Sequence, residues 1–157
     1  MTSYSRPVKL SDLMAVNLDE LCVRDCMHAG IVSCSPDTPL DEVARMMSDY
    51  HVHAIAVAEL GHGRPWGTWR IVSDMDLMAT VARGQEPRAC HVAAGEAVTV
   101  SADERLQRAA QVMSEHSVAH LVVVDPEARY PVGIISTLDI ASAYASNQRG
   151  GVTDGSE

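Results

Sequence analysis

The chain has 157 residues, 46% of them hydrophobic and 21% charged, with a formal net charge of -9. This composition belongs to a globular protein and excludes a disordered one. The acidic balance excludes a binder of nucleic-acid backbones, which needs a basic face, and requires any anionic ligand to sit in a locally positive pocket.

In chain order, residues 1–22 read as a partly helical lead segment, and the overlapping stretch 8–27 reads as helical and packs across the module. Its start, "MTSYSRPVKLSDL", lacks the apolar core of a signal peptide. No apolar run approaches the roughly 20 residues that span a bilayer. A cytoplasmic location without a membrane partner is therefore expected. A first repeat follows over 23–84. It opens with a short strand, "GIVSCS" (30–35), and continues in a helix with Thr38 as N-cap, Pro39 in the first turn and Asp41 three residues on. The helix stripe Leu40, Val43, Ala44 and Met47 has the spacing of a single buried face. A strand "AIAVAE" (54–59), a turn using Gly61, Gly63 and Pro65, a strand "WRIVS" (69–73) and a helix from about Met75 to Ala82 complete the unit.

The second repeat, 85–147, has the same grammar. "AVTVS" (97–101) is the first strand, and Leu106, Ala109, Ala110 and Met113 form the helix stripe. "HLVVVD" (120–125), a turn at Pro126, "VGIIS" (132–136) and a helix from about Leu138 to Ala145 follow. The polar, Gly-rich end reads as a disordered tail over 148–157. An offset of 66 lays Asp37 on Asp103, Leu40 on Leu106 and Met47 on Met113, and an offset of 63 lays Ser73 on Ser136 and Asp76 on Asp139. The expected fold is thus α/β (α+β), with two β-α-β-β-α units packed sheet to sheet with pseudo-twofold symmetry, because a copy of about 60 residues buries little surface alone.

No catalytic constellation emerges: the chain has no G-x-S-x-G, H-E-x-x-H or Walker A sequence. "GHGRPWGTWR" (61–70) lacks the G-K-[ST] ending of a phosphate loop and precedes a strand, not a helix. Trp66 and Trp69 mark either a contact surface or packing over a sheet edge. The four cysteines, Cys22, Cys26, Cys34 and Cys90, contain no C-x-x-C. If 22–26 were helical, Cys22 and Cys26 would share a face, and with His28 they could converge on a metal; otherwise they are small apolar residues in a reduced protein. No metal site is assigned. The repeated Ser-x-x-Asp, Ser73 with Asp76 and Ser136 with Asp139, reads first as a capping box at a strand-to-helix corner.

The ordered set of "VRDCM" (23–27), "SPDTPLDEVARMM" (35–47), "HVHAIAVAE" and "SVAHLVVVD", with "RIVSDMDL" and "GIISTLDI", resembles a tandem pair of cystathionine-β-synthase (CBS) domains, a Bateman module. The resemblance covers about 23–145; the arginine-rich, lysine-poor composition fits a bacterial source, and with no enzyme, channel or transporter domain beside the repeats the chain looks like a stand-alone member. It implies a regulatory module and not an enzyme. Its ligand would be an adenosine derivative such as AMP, ADP, ATP or S-adenosylmethionine, held in the cleft between repeats. It also implies a homodimer that signals to a protein effector.

On that resemblance, Asp139 and Asp76 would accept the ribose hydroxyls, and Ser136 and Ser73 would stand at helix N-termini facing phosphate. Ile31, Val32, Val98 and Thr99 would flank the adenine, and His53 and His120 would contact phosphate. Copy one departs from the pattern. Arg70 stands where copy two has Gly133, so it crowds the corner, grips a phosphate, or is simply a surface strand residue beside a long loop. The favoured pocket is therefore the Ser136–Asp139 corner. Two other readings stay open: a ligand-free interaction or scaffold protein with degenerate pockets, and a metal or redox sensor through Cys22, Cys26 and His28.

Overall fold

The computed structural model describes residues 18–59, 68–84, 94–128 and 130–150. After a 3-10 turn at Leu18–Glu20 come α1 (Val23–Cys26), β1 (His28–Ala29), β2 (Ser33–Cys34) and α2 (Leu40–Tyr50). Next are β3 (Ala54–Glu59), β4 (Thr68–Ser73), α3 (Asp74–Ala82), β5 (Gly95–Glu96) and β6 (Thr99–Ser101). The described chain closes with α4 (Leu106–His116), β7 (His120–Val124), β8 (Pro131–Ser136) and α5 (Thr137–Gly150). Both repeats thus carry the expected helices and strands, and each has its own four-stranded sheet.

The sheets are not assembled from consecutive strands. One runs β2-β3-β4-β5 and the other β1-β8-β7-β6. The short strand leading into each repeat is exchanged: β1 lies antiparallel to β8, and β5 lies antiparallel to β4. Compactness follows this exchange. One unit is 31–97, and the other joins the lead residues up to Gly30 to the chain from Val98 onward.

The internal repeat is visible atom by atom. α2 ends at His51 and α4 at Ser117, both left-handed with φ of 54° and 53°. In each case an amide beyond the cap closes on the last turn, Val52 N to Met47 O and Val118 N to Met113 O, both at 3.0 Å. Two residues that are not glycine accept this conformation because the closing bonds satisfy orphan carbonyls. Leu40, Val43 and Met47 of α2 are buried with Ile55, Val57 and Val72, and Leu106, Ala109 and Met113 of α4 with Leu121, Val123 and Ile135. Ala44 and Ala110, expected in these stripes, are only half-buried.

Several local expectations are corrected. Thr38 does not cap α2: its hydroxyl lies 3.1 Å from Ser35 Oγ, and Pro39 occupies the cap position without a side-chain bond. Ile31 and Val32 precede β2 instead of lying in it, and Val98 precedes β6. The helix expected through residue 27 is broken, because Cys22 is extended at the start of the one-turn α1 and Met27 is extended at its end. α5 continues to Gly150, past the expected end near Ala145 and into the segment assigned to a tail, with Ala143 buried as its anchor. Residues 151–157, Trp66, Cys90 and the turn glycines Gly61 and Gly63 lie outside the described residues.

Candidate functional site at the strand-to-helix corners

The two Ser-x-x-Asp segments sit where β4 runs into α3 and β8 into α5. At the first corner, Asp76 Oδ2 accepts from Ser73 N and Ser73 Oγ, both at 2.8 Å, and Asp76 N donates to Ser73 Oγ at 3.2 Å. At the second, Asp139 Oδ2 accepts from Ser136 N at 2.7 Å and Ser136 Oγ at 2.9 Å, and Asp139 N donates to Ser136 Oγ at 3.3 Å. Each is a reciprocal capping box that satisfies two orphan donors and sets an acidic group at a positive helix end. The capping function is therefore present in both copies, and it commits one carboxylate oxygen of each aspartate.

Sheet register brings the other candidates to the same ends. His120 lies opposite Ser136, and Ala54 opposite Ser73. Val32 O accepts from Ala56 N, and Val98 O from Val122 N, both at 3.0 Å, so residues 31–32 and 98–99 flank equivalent strands. His53 does not reach Asp76. Its Nδ1 is 2.9 Å from Asp74 Oδ2, while its carbonyl accepts from Asp74 N at 2.9 Å. The matching bond in copy two, Thr137 N to Ala119 O, joins residues with no ionisable side chain. Arg70 is half-buried in β4, opposite Val57 on one side and Glu96 on the other. Trp69, its neighbour in β4, is half-buried and lies opposite Ala58, which places it on the sheet rather than on an exposed turn.

The second aspartate oxygens differ. Asp139 Oδ1 faces His28 Nδ1 at 3.2 Å, with the Asp139 side chain only 10% exposed and that of His28 76% exposed. His28 arrives on β1, opposite Ile134. At the first corner no described residue reaches Asp76 Oδ1. The position in β5 that matches His28, opposite Ile71, is Gly95. His28 was legible in the sequence only as a metal candidate, because nothing local signals that β1 joins the distant β8.

Gly133 has a clear cause. A Cβ there would meet His28 O at 2.4 Å and Met27 Sδ at 3.0 Å, so the glycine admits the backbone of β1. The close approach left open by the sequence is filled by this strand. Cys26 is also close: burial, then Asp25, Asp139 and Cys22, push its thiol up from 9.0 to about 11. Among the described residues no group of three His, Cys, Asp or Glu side chains is arranged to hold a metal ion, the trio Cys22, Cys26 and His28 included.

A model of the CBS domain matches residues 23–82 and 91–146. The CBS domain-containing protein YhcV of Bacillus subtilis (strain 168) is 29% identical over 132 residues, covering 82% of this chain and 89% of that protein. Among solved structures, the CBS domain protein PAE2072 from Pyrobaculum aerophilum complexed with AMP aligns with a TM-score of 0.66 at 22% identity, over 76% of this chain and 89% of that one. The CBS domain pair of protein MJ0100, in complex with 5′-methylthioadenosine and S-adenosyl-L-methionine, aligns with a TM-score of 0.68 at 19% identity, over 80% and 96%.

Proposed function

The chain belongs to the CBS domain family, with two CBS repeats, and from that premise we propose that it is a regulatory module that binds an adenosine-containing ligand at its strand-to-helix corners. The observation that carries the reading is the duplication of the whole corner. In each copy a helix N-terminus, a serine hydroxyl and an aspartate sit beside the start of an apolar strand. A helix N-terminus favours phosphate, and a carboxylate oxygen outside the cap accepts from a ribose hydroxyl. The solved relatives that carry AMP or S-adenosylmethionine support this ligand class. Ile31, Val32, Val98 and Thr99 are assigned to the adenine, and His53, His120 and Arg70 to the phosphate side.

The module has no enzymatic role in this reading. It acts by population shift: the ligand favours one arrangement of the chain, and a protein effector reads it. A second copy of the chain is a further partner. Met75, Met78 and Val81 leave large apolar surfaces exposed along α3, and Leu138 and Tyr144 do the same at matching positions of α5. Such stripes mark association surfaces.

Thermal melting against AMP, ADP, ATP, NAD, S-adenosylmethionine and zinc tests the proposal. At 100 times its dissociation constant a ligand adds about 2.7 kcal/mol to stability. A shift with an adenosine compound that shrinks in Asp76→Ala or Asp139→Ala supports the sensor. No shift with any adenosine compound refutes it in favour of a scaffold, and a shift with zinc alone that is lost in Cys26→Ala replaces it with a metal sensor.

A further inference from the structure

The two corners share one capping box but differ in what stands over the remaining aspartate oxygen. We propose that His28 is a latch on the second corner: it occupies Asp139 Oδ1, and a ligand diol must displace it, whereas no described residue stands over Asp76 Oδ1 and that corner receives the ligand first. This rests on the reading of the corners as nucleoside sites, and it reverses the preference for Ser136–Asp139 drawn from Gly133 alone.

The geometry supports the latch at three points. Asp139 Oδ2 is committed to Ser136 N and Oγ, so Oδ1 is the oxygen left for a ligand, and it is the one that His28 Nδ1 approaches at 3.2 Å. Asp139 is nearly enclosed, so a diol has little other access, while His28 is largely in solvent and is free to swing away. The strand that delivers His28 is held in place. Gly133 admits its backbone, and Gly30 N donates to Val132 O at 2.8 Å just beyond it. At the first corner the equivalent position is Gly95, which has no side chain to offer, and a Cβ built there meets nothing within 4 Å. Among the described residues, the absence of a latch over Asp76 therefore follows from one residue.

Adenosine, which has the diol and no phosphate, is the probe. Calorimetric titrations use backgrounds that leave one corner competent. In Asp76→Ala, adding His28→Ala should tighten adenosine binding about 2- to 5-fold, the range of a polar pair with one partner in solvent. The gain should vanish with 2′,3′-dideoxyadenosine. In Asp139→Ala, adding Gly95→His should weaken adenosine binding by a similar factor. A readout without ligand is the 15N resonance of the His28 ring, which should move in Asp139→Ala relative to the natural chain. Unchanged or weaker binding on removal of His28, or an unmoved ring resonance, overturns the latch while leaving the sensor intact. If adenosine and AMP bind to none of the variants, the nucleoside reading falls and the latch falls with it.

Discussion

Gly133→Ala tests the exchange of lead strands, which organises both sheets. The added methyl would sit 2.4 Å from His28 O, well inside contact distance, and 3.0 Å from Met27 Sδ. Met27 is flexible and moves aside, but a backbone carbonyl paired in a sheet does not. Overpacking of this kind costs about 1–3 kcal/mol. The alternative is to detach β1, which forfeits the Gly30 N–Val132 O bond and the short ladder beside it at about 1 kcal/mol per bond. Both routes converge near 2 kcal/mol, which for a chain of this size lowers Tm by roughly 4–8 °C. Gly95→Ala is the matched control. Its methyl meets nothing within 4 Å, so it should be neutral or stabilising by a few tenths of a kcal/mol through the unfolded chain. Heat and guanidinium unfolding of the three proteins, with amide exchange at Gly30, reads both effects. If Gly133→Ala melts within 1 °C of the natural chain and Gly30 stays protected, β1 does not lie against β8 as described.

Other outcomes follow from the same geometry. Ser73→Ala and Ser136→Ala each remove a cap acceptor and should cost about 1 kcal/mol in thermal melts. Equal losses in the two variants would show that the caps are energetically equivalent. Because burial raises the folded Cys26 thiol to about 11 while the unfolded thiol ionises near 9.0, its contribution to stability is complete below pH 9 and is lost as pH rises toward 11. Iodoacetamide labelling at pH 8 should accordingly modify Cys26 more slowly in the folded chain than in guanidinium, and equal rates would contradict its burial. Met78→Glu or Leu138→Glu should lower the mass measured by light scattering if these stripes join two copies, without altering the melt of the monomer.

What the sequence made legible was local and periodic. The helix stripes, the apolar strands and both capping boxes each depend on residues within eight of one another, and the 66 and 63 offsets repeat them. What it hid was non-local. Two-residue strands such as His28–Ala29 and Gly95–Glu96 carry no period to detect, and their partners lie in the other repeat or beyond a turn. Gly133 signalled a close approach, but sequence could not say whether ligand or backbone fills it. Thr38 looked like a cap because its type suits one, yet Ser35 lies within reach of its hydroxyl. The polar run after Ala145 looked like a tail because composition does not reveal that Ala143 is already anchored in the core.

One consequence joins the stability and ligand arguments. The latch residue His28 and the carbonyl that Gly133 accommodates belong to the same residue of β1. A methyl at 133 that detaches β1 to relieve this carbonyl also carries the imidazole away, since both belong to the displaced residue. Gly133→Ala should therefore reproduce part of the effect of His28→Ala: less stable, yet tighter for adenosine at the Asp139 corner in the Asp76→Ala background. An ordinary destabilising substitution does the reverse, because a looser site binds less well. Titration of Gly133→Ala with adenosine distinguishes the two. A lower Tm with unchanged or weaker adenosine affinity would mean that His28 controls nothing at Asp139 and that the contact is only part of the packing of β1.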